Sequence, residues 1–298
     1  LFRSCVANGR LFEENIFDSI YIQPASGDAG NALGAAHAAY YMHYKKERGF
    51  VAHFDSMKSA RLGPSYTDLQ YQRAMESFKL NFDLMTEDNL LEFVAEKIQH
   101  GSTIGWFQGR MEFGPRALGG RSILGNPLLP ETQSKLNLKV KQRESFRPFA
   151  PIMLEEEFNR LFGKKYPSPY MLFVHEILAE YRKKRKVNSD NLIERINESR
   201  SVLPAISHID YSSRIQTVSE RDDYLMFKLL NKVKAKTGYG VLVNTSFNLR
   251  GEPIVCNPKD AIATFLSTEL DFLVLGNYVI EREKNIALLN NYVKLKLD

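Results

Sequence analysis

A strand-like apolar segment that runs directly into a loop of glycines and arginines constrains this chain's fold more than any other feature. Residues 102–108 (STIGWFQ) alternate as a β-strand does, and Arg110, Arg116 and Arg121 then fall within twelve residues. Guanidinium groups bind phosphate oxygens in pairs, and glycines let backbone N–H groups approach an anion closely. The pattern predicts an anion-binding loop fixed at a sheet edge. It is also compatible with a glycine-rich turn whose arginines pair with carboxylates such as Glu112.

Helical and strand-like periodicities alternate along the chain, which indicates the α/β class. Thr86 is a suitable N-cap for a helix that ends near His100, and Asn257 followed by Pro258 begins another helix. The remaining patterns predict helices after residue 28 and at 69–78, 131–141, 155–162 and 221–236, and strands at 20–24, 169–177, 241–245, 271–276 and 278–281, with two short strands within 207–218.

Composition excludes several classes of protein. With 298 residues, 44% of them hydrophobic and 25% charged, the chain is neither collagen-like, disordered nor a disulfide scaffold. Its net charge of +5 does not by itself indicate a nucleic-acid partner. Cys5 and Cys256 lie far apart and no apolar run is long enough to cross a membrane, so we expect a cytoplasmic protein without a membrane partner. Because the chain opens on Leu1 and reads like the middle of a domain, we also expect a fragment of a longer protein.

A second basic cluster lies at 139–147, in LKVKQRESFRPF. Lys139 and Arg143 are spaced to share a helical face, and Lys141 and Arg147 accompany them, but Pro148 prevents the helix from continuing far. The cluster fits a phosphate site. It equally fits cations that complement the dipole of a helix C-terminus.

A third element follows the strand predicted at 241–245. Asn244, Ser246 and Asn248 place amides and a hydroxyl at the end of this strand, followed by Arg250. Ligands of open α/β sheets bind at strand ends, where such groups contact a phosphate or a ribose. A polar turn, with Asn248 in an Asx-turn, is the alternative.

Together these elements resemble the NodU/CmcH-type carbamoyltransferases, the family that modifies nodulation factors, cephem antibiotics and aminoglycosides such as tobramycin. The matching segments are GWFQGRMEFGPRALGGRSIL (105–124), LNLKVKQRESFRPFAP (136–151), SPYMLF (168–173), RIQTV (214–218) and VLVNTSFNLRGEPIV (241–255). Their order and spacing cover nearly all of residues 100–282.

The resemblance implies two domains. Residues 86–298 would form a YrdC-like twisted open sheet with helices, which makes carbamoyl-adenylate from carbamoyl phosphate and ATP with Mg²⁺ and releases pyrophosphate. Residues 1–85 would be the C-terminal remnant of an actin-like ATPase domain and a connector. The complete form of that domain carries Fe²⁺ or another divalent metal and transfers the carbamoyl group to an acceptor hydroxyl, whose identity the sequence does not reveal. A homodimer is also expected from the resemblance.

The resemblance further suggests roles for individual residues. Lys141 and Arg143 match the K-x-R pattern of YrdC-like domains, and Ser246 and Asn248 match their S-x-N pattern. We therefore expect Arg110, Arg116, Arg121, Lys141 and Arg143 to be catalytic, and Lys139, Arg147, Asn244, Ser246, Asn248 and Arg250 to bind the nucleotide.

Asp28 matches the metal-ligand aspartate of the actin-like domain. The paired histidine ligands of the family belong to a helix upstream of this chain. His37 and His43 do not replace them, because a spacing of six residues places them about 240° apart around a helix.

Two other functions are compatible with the sequence. A threonylcarbamoyl-adenylate synthase that serves tRNA modification uses the same YrdC-like fold, although RMEFGPRALG and FRPFAP favour the carbamoyltransferases. An RNA-binding YrdC-type module would use the basic cavity and the RKKRK run at 182–186, but such a run is more often a solvated insertion, so we expect no nucleic-acid partner.

Overall fold

The computed structural model describes residues 4–18, 20–49, 55–164, 166–184 and 198–288. Most strands in these ranges belong to one sheet of eight strands. They are β1 (Asp83–Leu84), β2 (Ile104–Phe107), β3 (Arg121–Gly125), β4 (Ala150–Leu154), β7 (Gln216–Val218), β8 (Val241–Ser246), β9 (Phe272–Leu275) and β10 (Tyr278–Glu281). A smaller sheet pairs β5 (Val174–Glu176) with β6 (Ser212–Arg214).

The large sheet is mixed, in the order β1-β10-β9-β2-β3-β8-β4-β7. β2 runs parallel to β9 and β4 runs parallel to β7, while the other neighbours are antiparallel. The register places Asn244 of β8 opposite Leu124 of β3 on one side and Ala150 of β4 on the other. The predicted α/β class is confirmed at this level.

Helices cover both faces of the sheet. They are α1 (Cys5–Glu13), α2 (Asp28–His37), α3 (Asp68–Ser77), α4 (Glu87–Gln99), α5 (Pro130–Lys135), α6 (Glu155–Phe162), α7 (Tyr224–Thr237) and α8 (Pro258–Leu266). Ile104 and Trp106 pack in one apolar cluster with α4 and α7, whereas Phe107 packs in a second cluster with α3, α6 and α8. Successive side chains of a strand point to opposite faces, so these apolar strands join two helical layers.

Most predicted elements are confirmed, and two predicted strands are wrong in whole or in part. Residues 20–24 form no strand, because the Gln23 carbonyl accepts from Ser26 N–H at 3.0 Å and turns the chain. The strand predicted at 169–177 is reduced to β5, because Met171 adopts a left-handed φ of 54° that interrupts the extended chain. Most of the 182–200 tract, including Arg185 and Lys186 of the RKKRK run, lies outside the described residues.

The N-terminal segment contacts the small sheet. The Asn8 amide donates to the Leu172 carbonyl at 3.0 Å, and Gly9 lies so close to Val174 that a Cβ there would stand 2.6 Å from its carbonyl oxygen. Helix α1 is therefore held against β5, and its first turn reaches the cavity described below. No helix among the described residues has the length and apolar character needed to span a membrane.

Candidate functional site

A buried carboxylate fixes the glycine- and arginine-rich loop between β2 and β3. Glu112 accepts hydrogen bonds from the N–H groups of Leu118 at 2.6 Å and Gly120 at 2.7 Å. Gly119, between them, has a φ of 105°, which a side chain rarely tolerates. Glu112 thus fixes the backbone of the loop, and its charge also raises the pKa of the buried Arg121 against the effect of burial.

Arg121 is enclosed by this loop and lies outside the cavity. Its side chain is fully buried, with the guanidinium 3.5 Å from the centre of the Phe107 ring. It donates to four backbone carbonyls, those of Gln108 (3.1 Å), Gly109 (3.2 Å), Gly120 (2.9 Å) and Pro64 (3.2 Å). Burial lowers the pKa of Arg121 to about 10. The expected phosphate contact has no geometric support, because backbone oxygens occupy both terminal nitrogens of the guanidinium and the side chain does not line the cavity.

Two further arginines bind the outside of the loop. Arg61, which the sequence analysis missed, pairs with Asp223 and donates to the carbonyls of Gln108 at 3.1 Å and Arg110 at 3.3 Å. The exposed Arg110 donates to the Leu62 carbonyl at 3.2 Å and does not line the cavity. Both residues therefore stabilise the conformation of the loop through hydrogen bonds to backbone carbonyls.

A cavity of about 400 Å³ lies beside the loop, at the strand ends where the sequence predicts a ligand site. It brings together the predicted residues Arg116, Arg143, Arg147, Asn244 and Ser246. The other lining residues are Cys5, Val6, Pro115, Ala117, Pro148, Phe149, Ala150, Met171, Val174, His208, Arg214 and Thr245. No carboxylate is among the described residues that line it, so the cavity is basic.

The cavity cations are close enough to disfavour one another's charge. Arg143 lies over Phe149, with its guanidinium 4.9 Å from the ring centre, and its Nε donates to Asn137 Oδ1 at 2.7 Å. Burial, with Arg147 and Arg214 nearby, lowers the pKa of Arg143 to about 10. A bound anion would relieve this repulsion.

Arg214 is a cavity residue that the sequence analysis did not assign, although it begins the quoted RIQTV segment. Burial lowers its pKa, Arg147 lowers it further, and a hydrogen bond to the Cys5 thiol opposes the shift. Its buried Nε has no hydrogen-bond partner in the described part of the chain. The signal that could have found it is an arginine at the end of a short strand inside a matching segment.

Lys141 lies behind the cavity wall rather than in it. Its ammonium contacts the Ser246 carbonyl, Ser246 Oγ at 3.2 Å, the Asn248 carbonyl at 3.1 Å and Asn248 Oδ1 at 2.8 Å. Burial, followed by the charge of Arg143, lowers the pKa of Lys141 to about 7. Lys141 therefore joins the K-x-R and S-x-N segments directly and holds Ser246 at the cavity edge.

The remaining predicted residues do not line the cavity. The exposed Lys139 pairs with Glu269 at 2.8 Å, and Arg250 lies 3.5 Å from the Gln142 carbonyl. The idea that Lys139 and Arg143 share a helical face is wrong, because the last helical turn, which is π-helical, ends at Val140.

The metal prediction also lacks support in the geometry. Asp28 is an exposed residue in the first turn of α2. Within the described ranges, no group of three or more histidine, cysteine or acidic side chains is arranged to hold a metal ion. The described residues around Asp28 therefore do not fit a resident divalent metal.

Two family models match the sequence. The model described as "Carbamoyltransferase C-terminus" matches residues 95–282, and the model described as "Carbamoyltransferase N-terminus" matches residues 3–37. The first match includes all the arginines of the cavity. The second includes the α1 residues Cys5 and Val6, which form part of its wall.

Several named relatives are similar along most of the chain. Nodulation protein NolO of Bradyrhizobium diazoefficiens is 37% identical over 284 residues, which are 94% of this chain and 47% of that protein. Nodulation protein U of Rhizobium tropici is 34% identical over 82% of this chain and 36% of its own length. The 3'-hydroxymethylcephem-O-carbamoyltransferase of Amycolatopsis lactamdurans is 29% identical over 94% of this chain and 47% of its own length. The chain thus spans about half or less of the length of these relatives.

Proposed function

We propose, because this chain belongs to the carbamoyltransferase family, that its basic cavity binds carbamoyl phosphate and ATP and forms carbamoyl-adenylate for transfer to an acceptor hydroxyl. The observation that supports this proposal most is the convergence of Arg116, Arg143, Arg147 and Arg214 on one cavity without a carboxylate. A volume of about 400 Å³ lies within the range of small-molecule sites.

The proposed reaction needs positioned charge rather than a side-chain nucleophile. Water cleaves carbamoyl phosphate to carbamate and inorganic phosphate. A carbamate oxygen then forms a bond to the α-phosphorus of ATP while the bond to the pyrophosphate oxygen breaks, which gives carbamoyl-adenylate and pyrophosphate. The acceptor oxygen finally displaces AMP and loses its proton.

Different cavity residues would contact different parts of the reacting molecules. The arginines would stabilise negative charge on the phosphoryl oxygens and on the leaving pyrophosphate, as fixed cations do in such transition states. Ser246, held by Lys141, would contact the α-phosphate side. Mg²⁺ would arrive with ATP as part of the substrate.

The direct test is to incubate the chain with MgATP and carbamoyl phosphate and to search for carbamoyl-AMP by mass spectrometry, with pyrophosphate measured in parallel. We expect both products from the unaltered chain and from Lys139→Ala, and a loss of at least tenfold in Arg143→Ala. A folded chain that releases no pyrophosphate and forms no adenylate would contradict the proposal. Faster adenylate formation from threonine and bicarbonate would favour threonylcarbamoyl-adenylate synthesis instead.

A further inference from the structure

A residue of the basic cavity carries a buried acceptor that has no partner among the described residues. Asn244 lines the cavity and is only 1% exposed. Its Nδ2 donates to Gln216 Oε1 at 2.8 Å and to the Ala117 carbonyl at 3.2 Å. Its Oδ1 is buried and accepts no hydrogen bond from the residues that the structure describes. Buried acceptors are nearly always satisfied, so this oxygen indicates a group supplied by a ligand or by water.

The chemistry of its neighbours fixes which end of the Asn244 amide is unpaired. The Leu118 carbonyl can only accept, and Gln216 Nε2 donates to it at 2.9 Å, so Gln216 must present Oε1 to Asn244. The Ala117 carbonyl also requires a donor. Asn244 must therefore turn Nδ2 toward both oxygens, which leaves Oδ1 as the unpaired atom.

Asn244 shares its cavity with the arginines. Ala117 and Gln216 hold the Asn244 amide. Arg116 immediately precedes Ala117 in the sequence, and Arg214 lies two residues before Gln216. Phosphate oxygens attracted by these cations are acceptors and would be repelled by Oδ1. The ligand group over Asn244 must instead carry an N–H or O–H donor.

We propose that Asn244 Oδ1 accepts a hydrogen bond from the carbamoyl NH₂ and thereby selects carbamoyl phosphate over acyl phosphates that lack this group; the proposal rests on the function proposed above. In carbamoyl phosphate the NH₂ is separated from the phosphorus by only the carbonyl carbon and the bridging oxygen. The donor can thus reach Asn244 while the phosphate stays among the arginines. The adenine amino group of ATP, by contrast, is separated from its phosphates by the whole ribose.

Arg214 supplies the complementary observation. Its buried Nε is a donor without a described partner, at the same cavity as the unpaired Asn244 acceptor. An inorganic anion would satisfy the arginine and leave the asparagine unpaired. Carbamoyl phosphate satisfies both, because it combines acceptor oxygens with an N–H donor in one small molecule.

Acetyl phosphate is the matched probe, because a methyl group replaces the NH₂ at nearly the same size. With the unaltered chain we expect kcat/KM for ATP-dependent pyrophosphate release to be at least tenfold higher with carbamoyl phosphate than with acetyl phosphate. In Asn244→Ala we expect this ratio to fall to within about threefold of unity, while the KM for ATP stays unchanged. Asn126→Ala is the control, because Asn126 is a buried asparagine away from the cavity and should keep the ratio.

The possible outcomes separate the inference from the function on which it rests. If the unaltered chain forms no adenylate, the proposed function fails. If it forms the adenylate but uses acetyl phosphate equally well, only the selectivity of Asn244 is overturned. The selectivity role of Asn244 is also overturned if the Asn244→Ala variant still prefers carbamoyl phosphate, or if this substitution raises only the KM for ATP. Should Asn244→Ala not fold, the comparison of the two phosphates with the unaltered chain decides, with direct binding of each measured by calorimetry.

Discussion

Arg121 and Arg214 lie in two regions that use the same side chain in opposite ways. In the loop between β2 and β3, Arg121 is enclosed and the two terminal nitrogens of its guanidinium donate to four backbone carbonyls, while its Nε has no partner in the described ranges. In the cavity, the Nε of Arg214 is also buried without a partner in the described ranges, but its guanidinium has the Cys5 thiol as a hydrogen-bond partner and Arg147 as a repulsive neighbour. The first arrangement stabilises a loop, whereas the second, under the function proposed above, would be completed by an anion. What a guanidinium does therefore depends on the oxygens around it rather than on its motif.

Replacement of Arg121 should have the largest effect of these substitutions, and the property it changes should be stability. Arg121→Met removes a buried charge and its hydrogen bonds to four backbone carbonyls, of which only that of Gly109 has no other described donor, so we expect the free energy of unfolding to fall by about 3–5 kcal/mol. Urea denaturation followed by circular dichroism measures this loss. If the variant is as stable as the unaltered chain but no longer binds pyrophosphate, Arg121 belongs with the ligand-binding cations.

Replacement of Arg214 should instead affect binding. A charge-assisted hydrogen bond contributes about 1.5–3 kcal/mol, so Arg214→Gln should weaken binding of inorganic pyrophosphate by about 10–150-fold. Stability should change little, because the loss of packing is offset by relief of the repulsion with Arg147. Isothermal titration calorimetry at fixed ionic strength measures the affinity. An affinity that remains unchanged, with a large loss of stability, would make Arg214 a structural residue like Arg121.

Lys141 resembles Arg121, since protein oxygens surround it, but its pKa of about 7 makes its charge depend on pH. Between pH 7 and about 10 the unfolded chain keeps a proton that the folded chain has released. Stability should therefore rise with pH in this window, by up to about 1.4 kcal/mol per pH unit relative to Lys141→Met.

Urea denaturation of both proteins at intervals from pH 6 to 9 checks this expectation. Lys139→Met serves as the matched control, because Glu269 raises rather than lowers the pKa of the exposed Lys139. Curves for the unaltered chain and Lys141→Met that stay parallel across the window would show that Lys141 keeps its charge when buried.

Helix ends were predictable from the sequence because their signals are local. Asn257 caps α8 and Pro258 is its first residue, as predicted, and the side chains of Asn257 and Asp260 complete a capping box. The strand at 20–24 was wrong because a strand needs a partner, and alternation alone does not say whether one is adjacent. The domain boundary at residue 85 stays a prediction, although α3 and β1, which precede it, pack on the large sheet.

The sequence predicted which types of residue form the site, but not which individual residues belong to it. Arg116, Arg143 and Arg147 do converge, because the segments that carry them lead into β3 and β4, the two strands that flank β8. The sequence could not separate them from Arg121, since the carbonyls that occupy Arg121 come from residues up to 57 positions away. For the same reason Arg214 was missed, because its place in the cavity follows from the pairing of β5 with β6.

Replacement of Lys139 should have the smallest effect. It tests whether an exposed cation outside the cavity contributes to binding. Lys139 stands two residues before Lys141, yet it is exposed and paired with Glu269, and exposed pairs contribute little in water. We expect Lys139→Ala to leave both the unfolding midpoint and the affinity for pyrophosphate unchanged, as measured in the same denaturation and calorimetry experiments. A loss of affinity that disappears at high salt would show that this charge attracts the anion from a distance. The basic site would then extend beyond the cavity, and burial would no longer separate the cations that bind from those that do not.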